Sequence, residues 1–258
     1  MTLSQYIRLI DVQAKFALKA DASRYFLGYV WWILEPLLYV GVFYVVFNVI
    51  LNSRHPDFLT FLMCGKLPFV WFSKSVITGS NAIVSNAGLI GKINVPKTLF
   101  PMARIQEGVY KQMAVFALLI AVVVINGYSP SWIWLWLLPV IALNYLMIVA
   151  CAFVGAVLVC YFRDFSMIIS LGMTFLMFTS GIFWDVRTLS DPALTELILN
   201  VNPVAFILDA YRQILMGGVA PDLGGMLRYA LIFGMLAAGM VFIMRKLSQA
   251  LALKALTA

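Results

Sequence analysis

The sequence predicts an all-α integral membrane protein. It has six transmembrane helices, an N-terminal amphipathic interface helix and two short outer helices between spans 5 and 6. Three observations lead there. Sixty-three per cent of the 258 residues are hydrophobic and 11% are charged, against about 45–50% and about 25% in soluble domains. The apolar residues fall in long continuous runs, so helices rather than a barrel satisfy the backbone in lipid. The Lys and Arg residues gather in alternate loops between those runs.

The interface helix comes first. In residues 3–24, Leu3, Ile7, Ile10, Ala14 and Leu18 recur at helical spacing, with basic residues and Asp11 on other faces. Such a helix lies in the cytoplasmic interface and feeds span 1. It is charged and amphipathic, unlike a cleavable signal with a compact apolar core. The spans follow at about 28–51, 58–84, 103–126, 132–160, 166–184 and 226–245, at roughly 20 residues or more each. The whole is one domain: interface helix 1–27, bundle 28–245 and cytoplasmic tail 246–258.

Between spans 5 and 6, residues 185–225 are half apolar and too long for a turn. Asp191 before Pro192, and Asn202 before Pro203, read as helix N-caps with proline at the first helical position. Two short outer helices result. Asp209 and Arg212 are three apart on the second and can pair on one face as an outer gate. These helices either dip back toward an exit or form a surface cap.

Orientation follows from charge. Arg8, Lys15, Lys19, Arg24, Lys92, Lys97, Arg104, Lys111, Arg163, Arg245, Lys246 and Lys254 fall on one side; only Arg54, Arg187 and Arg212 fall on the other. The positive-inside rule puts both termini in the cytoplasm. Lys66, Lys74 and Arg228 lie within or at the edge of spans. The net charge of +7 is therefore topological and does not point to nucleic acid.

The composition also excludes functions. Cys64, Cys151 and Cys160 all sit in apolar runs, with no CxxC and no neighbouring His, so neither a metal site nor a disulfide framework is expected. The one histidine, His55, sits in an outer loop with no catalytic set around it. The run GLIGKI at 88–93 lacks the spacing and hydroxyl of a phosphate loop, so the chain cannot hydrolyse ATP alone. No carboxylate chain runs through the spans, as a proton pump would show.

The stretch LGYVWWILEP at 27–36 sets a carboxylate and a proline just inside span 1. Glu35 lies about two turns in, close enough to the interface to face water or a basic partner such as Arg24 or Lys19. Pro36 bends the helix; alternatively both belong to a helix start. Trp32, Tyr39, Phe43 and Val46 share a stripe of span 1, and Phe175 and Phe178 share a face of span 5. These aromatics read either as helix packing or as flat surfaces for a sliding chain. Trp31, Trp32, Trp132, Trp134 and Trp136 fit an aromatic belt. Lys19 and Arg24 at the inner end of span 1 can attract an anionic head group or ordinary anionic lipid. In the loop 85–101, Asn86 opens a short helix whose Leu89, Ile90 and Ile93 form one apolar edge beside Lys92, ended by Pro96 and Pro101.

The order of these motifs resembles ABC-2 type permeases that export polysaccharides. The matching stretches are the basic helix followed by LGYVWWILEP, GKLPFVWF (65–72), NAGLIGKINVPKTLFP (86–101), YFRDF (161–165), TSGIFWD (179–185) and NPVAFILDAYRQIL (202–215). They span nearly the whole chain and are common to O-antigen, capsule and teichoic acid exporters. The resemblance implies a homodimer with two separate ABC ATPase subunits in the bacterial inner membrane. ATP and Mg would belong to the ATPase, with no cofactor on this chain. The cargo would be a lipid-linked polysaccharide, O-antigen favoured, taken up from the cytoplasmic side. For such a cargo the aromatic faces Trp32, Tyr39, Phe43, Phe175 and Phe178 are expected to line the channel, and Lys19, Arg24 and Glu35 to form the head-group portal. The ATPase-coupling set is Asn86, Leu89, Ile90, Lys92, Ile93, Arg163 and Asp164. An exporter of a drug or small lipid, or a channel or ion-coupled carrier without ATP, remains the alternative.

Overall fold

The structure is a computed structural model that describes residues 2–50, 57–92 and 95–257; Arg54, His55 and Ile93 lie outside them. Every regular element among the described residues is helical.

Helix α1, Leu3–Ala22, opens with a capping box between Thr2 and Gln5. Its buried stripe is Ile10, Ala14, Leu18 and Ala22, one residue per turn, set against the long helix α6, Leu99–Ile125. Leu3 and Ile7, expected in that stripe, are exposed. Four polar contacts fix α1 in place. Tyr6 donates to Thr98 (3.0 Å), Tyr110 to Asp11, and Lys111 (2.7 Å) and Trp32 (3.3 Å) to Asp21. The interface helix is thus bolted to the bundle along α6.

After a 3-10 turn at Gly28–Val30, helix α2 runs Trp31–Tyr44 and passes into a π-helical stretch, Val45–Ile50. Pro36 sits inside α2 and is buried. Helix α3, Phe58–Ser80, is the centre of the bundle. Most of its residues are buried, and it touches α2 (Trp31–Tyr44), α6, α7 (Leu137–Tyr161), α8 (Phe165–Thr179) and α10 (Pro203–Arg212). Small residues allow the closest crossing. A Cβ on Gly155 of α7 would collide with Ser80, and one on Gly79 with Ala152. Without a hydrophobic drive between helices in lipid, such close backbone approach supplies the packing energy.

Among the described residues three helices are long and apolar enough to cross a membrane: Leu99–Ile125, Trp132–Tyr161 (α7 with its leading 3-10 turn) and α11 at Leu223–Lys246. The bent pair Pro192–Val201 (α9) and Pro203–Gly217, which meet at 110°, makes a fourth if counted as one broken span. The runs expected as spans 1, 2 and 5 are helical as well, as α2 with its π extension, α3 and α8.

The caps of α9 and α10 lie where the sequence puts them: Asp191 accepts from the Ala193 amide, and Asn202 from those of Val204 and Ala205. Helix α10 is no surface cap. Every residue from Val204 to Arg212 is buried. After it the chain makes a π turn, Gln213–Gly217, and leaves through Gly218 in the left-handed conformation.

A second, smaller core closes the other end. Single-turn helices α4 (Ala82–Ser85) and α5 (Ala87–Ile90) bury Ala82, Ile83 and Ile90 against Phe100, Phe153, Met244, Leu251 and Ala255. The last two belong to α12, Ser248–Thr257, so the expected tail is a docked helix. Cys160 donates to the Leu251 carbonyl at 3.3 Å.

Candidate functional site

Two cavities lie side by side along α3. The first, about 520 Å³, opens between the end of α1, the start of α2, α3 and α6. Its lining includes Trp31, Trp32, Glu35 and Pro36 of α2, Lys74, Ser75 and Thr78 of α3, and Arg104, Glu107, Lys111 and Gln112 of α6, with Asp21 at the rim. Helix periodicity explains the set: Arg104, Glu107 and Lys111 share a face at steps of three and four, as do Val70, Lys74 and Thr78.

Charges in this cavity are paired. Glu35 and Lys74 stand 2.7 Å apart, Arg104 and Glu107 3.0 Å, Lys111 and Glu107 2.9 Å, and Lys111 and Asp21 2.7 Å. Lys111 also lies 5.5 Å from the Trp32 ring centroid. Burial alone would raise the Asp21 carboxyl, but the Lys111 ammonium, the Trp32 indole and Arg24 outweigh it and hold it below its ordinary value. Three carboxylates meet three cations, so the cavity is polar yet balanced.

The second cavity, about 350 Å³, is a groove lined by Tyr39 of α2, Lys66, Phe69, Val70, Ser73, Lys74 and Ile77 of α3, and Ser170, Met173, Thr174 and Met177 of α8. Val70 and Lys74 line both cavities. The stripe Lys66–Val70–Lys74–Thr78 therefore joins them, with one residue per turn. Lys66 is 5% exposed. Its ammonium lies 4.8 Å from the Phe43 ring centroid, 5.9 Å from those of Tyr39 and Phe69, and 6.0 Å from that of Phe183.

The sequence-predicted sites divide accordingly. Trp32 and Tyr39 line the cavities, and Phe43 touches Lys66 and Phe183. Phe178 reaches the same cluster through Phe183, with centroids 5.7 Å apart, although it is 55% exposed. Phe175, 68% exposed, is outside the groove; α8 lines it with the neighbouring Met173, Thr174 and Met177 instead. Glu35 lines the first cavity, but its partner is Lys74, not Arg24 or Lys19. Lys19 and Arg24 are exposed and do not line it.

In the loop expected to couple to an ATPase, Asn86 precedes the single turn α5 and donates back to the Ala82 carbonyl at 2.8 Å. Leu89 is 41% exposed, whereas Ile90 is 5% exposed and covered by α12. The apolar edge is thus split, with one side outward and one side inward. Lys92, Arg163 and Asp164 are exposed.

The outer pair is corrected. Asp209 accepts two bonds of 2.8 Å from Arg187, and Arg212 faces away from it. Buried Arg212 donates to the carbonyls of Gly181 (2.6 Å), Ile182 (3.0 Å) and Phe61 (3.4 Å), with its guanidinium 3.6 Å from the Phe61 ring centroid. A Cβ on Gly65 would collide with that guanidinium. Arg212 is a peg that ties the turn after α8 to α3.

Residues 105–216 match the family described as ABC-2 type transporter. The chain is 28% identical over 221 residues to the O-antigen export system permease protein RfbA of Myxococcus xanthus, covering 85% of each chain. To a protein of the same name from Klebsiella pneumoniae it is 26% identical over 193 residues, 74% of each. To the polysialic acid transport protein KpsM of Escherichia coli it is 25% identical over 236 residues, 88% of this chain and 89% of the relative. The matched segment runs from α6 through the buried helix α10. Over that segment the chain is similar to ABC-2 type transporters, and over most of its length to permease and transport proteins of polysaccharide export.

Proposed function

We propose that this chain is the membrane-spanning subunit of an ABC exporter that moves a lipid-linked polysaccharide, O-antigen favoured, out across the inner membrane. It works as a homodimer with two ATP-hydrolysing partner subunits. Six spans, α2, α3, α6, α7, α8 and α11, leave both termini in the cytoplasm, with α9 and α10 re-entering from the outer side. The reading is supported by the relatives named for O-antigen export and polysialic acid transport.

The observation that carries it is the stripe on α3 that joins a polar, ion-paired cavity to an aromatic groove. A lipid-linked glycan has a charged linkage and a long hydroxylated chain. The first cavity offers exchangeable ion pairs beside the bolted interface helix, where a head group can be desolvated in exchange for fixed charges. The groove offers ring faces, which contact sugars over flat area without deep pockets that would stop a moving chain. The α5 turn presents Leu89 outward, a small apolar knob for a cleft in the ATPase.

The test is expression with the partner ATPase in a strain whose own permease gene is deleted. Surface polysaccharide should return, and should vanish with an ATPase unable to hydrolyse ATP. Export of a drug or small lipid without any surface glycan would overturn the assignment of cargo.

A further inference from the structure

Each charged side chain lining the first cavity has an opposite charge within 3.0 Å. Lys66, lining the second, is different. Among the described residues no carboxylate lies within ion-pair distance of it; its nearest polar contact is the Met177 sulfur at 2.9 Å. An ammonium withdrawn from water without a partner is costly, by several kcal/mol per ion. Four rings return part of this, since a cation over an aromatic face gains about 0.5–2 kcal/mol. The position still carries a positive charge that no carboxylate among the described residues answers. It is also aimed into a groove rather than into packed core.

The placement gives the charge a use. Lys66 lies two turns from Lys74 on the stripe common to both cavities, about 12 Å along the helix at 1.5 Å per residue. Lys74 is held by Glu35, so an anion arriving there competes with a carboxylate. At Lys66, among the described residues, it competes with ring faces and a thioether. An anion therefore gains by stepping from the first position to the second.

We propose that Lys66 is an anion-binding station in the groove. It receives a phosphate or carboxylate group of the cargo after Lys74, and its ammonium leaves the cage of Tyr39, Phe43, Phe69 and Phe183 to do so. The proposal rests on the reading of the chain as a polysaccharide permease and narrows its cargo to one carrying compact anionic groups. Such a group belongs either to the phosphate linkage of the lipid or to acidic sugars of the chain.

The test uses the permease–ATPase complex in nanodiscs with three probes: farnesyl diphosphate, tetrameric sialic acid and neutral maltoheptaose. Lys66→Met removes an unpaired buried charge and keeps the apolar stem, so the complex should stay assembled and at least as heat-stable. It should bind one or both anionic probes at least about tenfold more weakly, with maltoheptaose unchanged. Loss for farnesyl diphosphate alone assigns the station to the linkage, and loss for the sialic acid tetramer alone assigns it to the sugars. Lys66→Arg should restore binding. Unchanged affinity of Lys66→Met for both anions, or an equal loss for maltoheptaose, would overturn the proposal. No surface glycan export by the parent complex, with these binding differences present, would sink the polysaccharide reading and leave the station standing. Intact export without the binding differences would sink the station alone.

Discussion

The Glu35 carboxylate and the Lys74 ammonium stand 2.7 Å apart, so the one acidic residue of α2 is tied to a lysine that lines both cavities. Lys74 is about half exposed and Glu35 a third exposed. A pair in that setting adds at most about 1 kcal/mol of stability. Its importance is in holding Lys74 at the junction.

Glu35→Gln should therefore leave the thermal midpoint of the complex within a few degrees of the parent while export falls severalfold. The exchanged pair, Glu35→Lys with Lys74→Glu, should recover part of the export. If the exchanged pair exports no better than Glu35→Gln alone, the contact itself is not what matters.

Leu89 and Ile90 are adjacent but face opposite ways, and they should fail differently. Leu89→Asp should release the ATPase in co-purification without lowering the thermal midpoint. Ile90→Asp places a charge beneath α12 and should lower stability by about 3 kcal/mol or more, with ATPase loss as a consequence of local unfolding. A Leu89→Asp permease that keeps its full complement of ATPase would remove this turn from the interface.

The docking of α1 should be acid-sensitive. Lys15, then Tyr110, hold the Asp11 carboxyl below its ordinary value, and Lys111 does the same for Asp21 against the opposing effect of burial. A carboxyl depressed in the folded state contributes fully above its ordinary value of 3.8. It loses that contribution as pH falls through the lower folded value. Spin labels on α1 and α6 should separate only below about pH 4, and Asp21→Asn should show part of that separation at pH 6. Equal distances at pH 6 and pH 2 would show that apolar packing alone holds α1.

Gly65 and Arg212 should be coupled. Gly65→Ala places a methyl group against a guanidinium pinned by three carbonyls, and it should cost about 1–3 kcal/mol. In an Arg212→Ala background the same change should cost under about 0.5 kcal/mol. Additive losses would mean that the two do not share space in the folded protein.

The helical runs were legible because lipid demands continuous apolar helices, and runs such as 103–126 and 226–245 answer to nothing else. The cap residues Asp191 and Asn202 were legible for the same local reason. The burial of α10 was not. Asp209 and Arg212 look like a solvent face, and their true partners, Arg187 and the carbonyls at 181–182, come from a turn that only the folded chain brings near. The cavity was half legible: Glu35 announced itself, but Lys66 and Lys74 looked like stray charges in a span. Their spacing of eight, two turns on one face, was the available signal. Ile90 was misread because no local pattern shows that a helix at 248–257 will cover it.

That cover has a consequence for biosynthesis. Ile83 and Ile90 leave the ribosome early, yet the Leu251 and Ala255 side chains that shield them are made long afterwards. Throughout that interval the turn at Ala87–Ile90 has no cover. Until then a nascent chain leaves the apolar side chains of this turn uncovered. Arrival of α12 shields that surface, so this small core is complete only in a chain translated through α12.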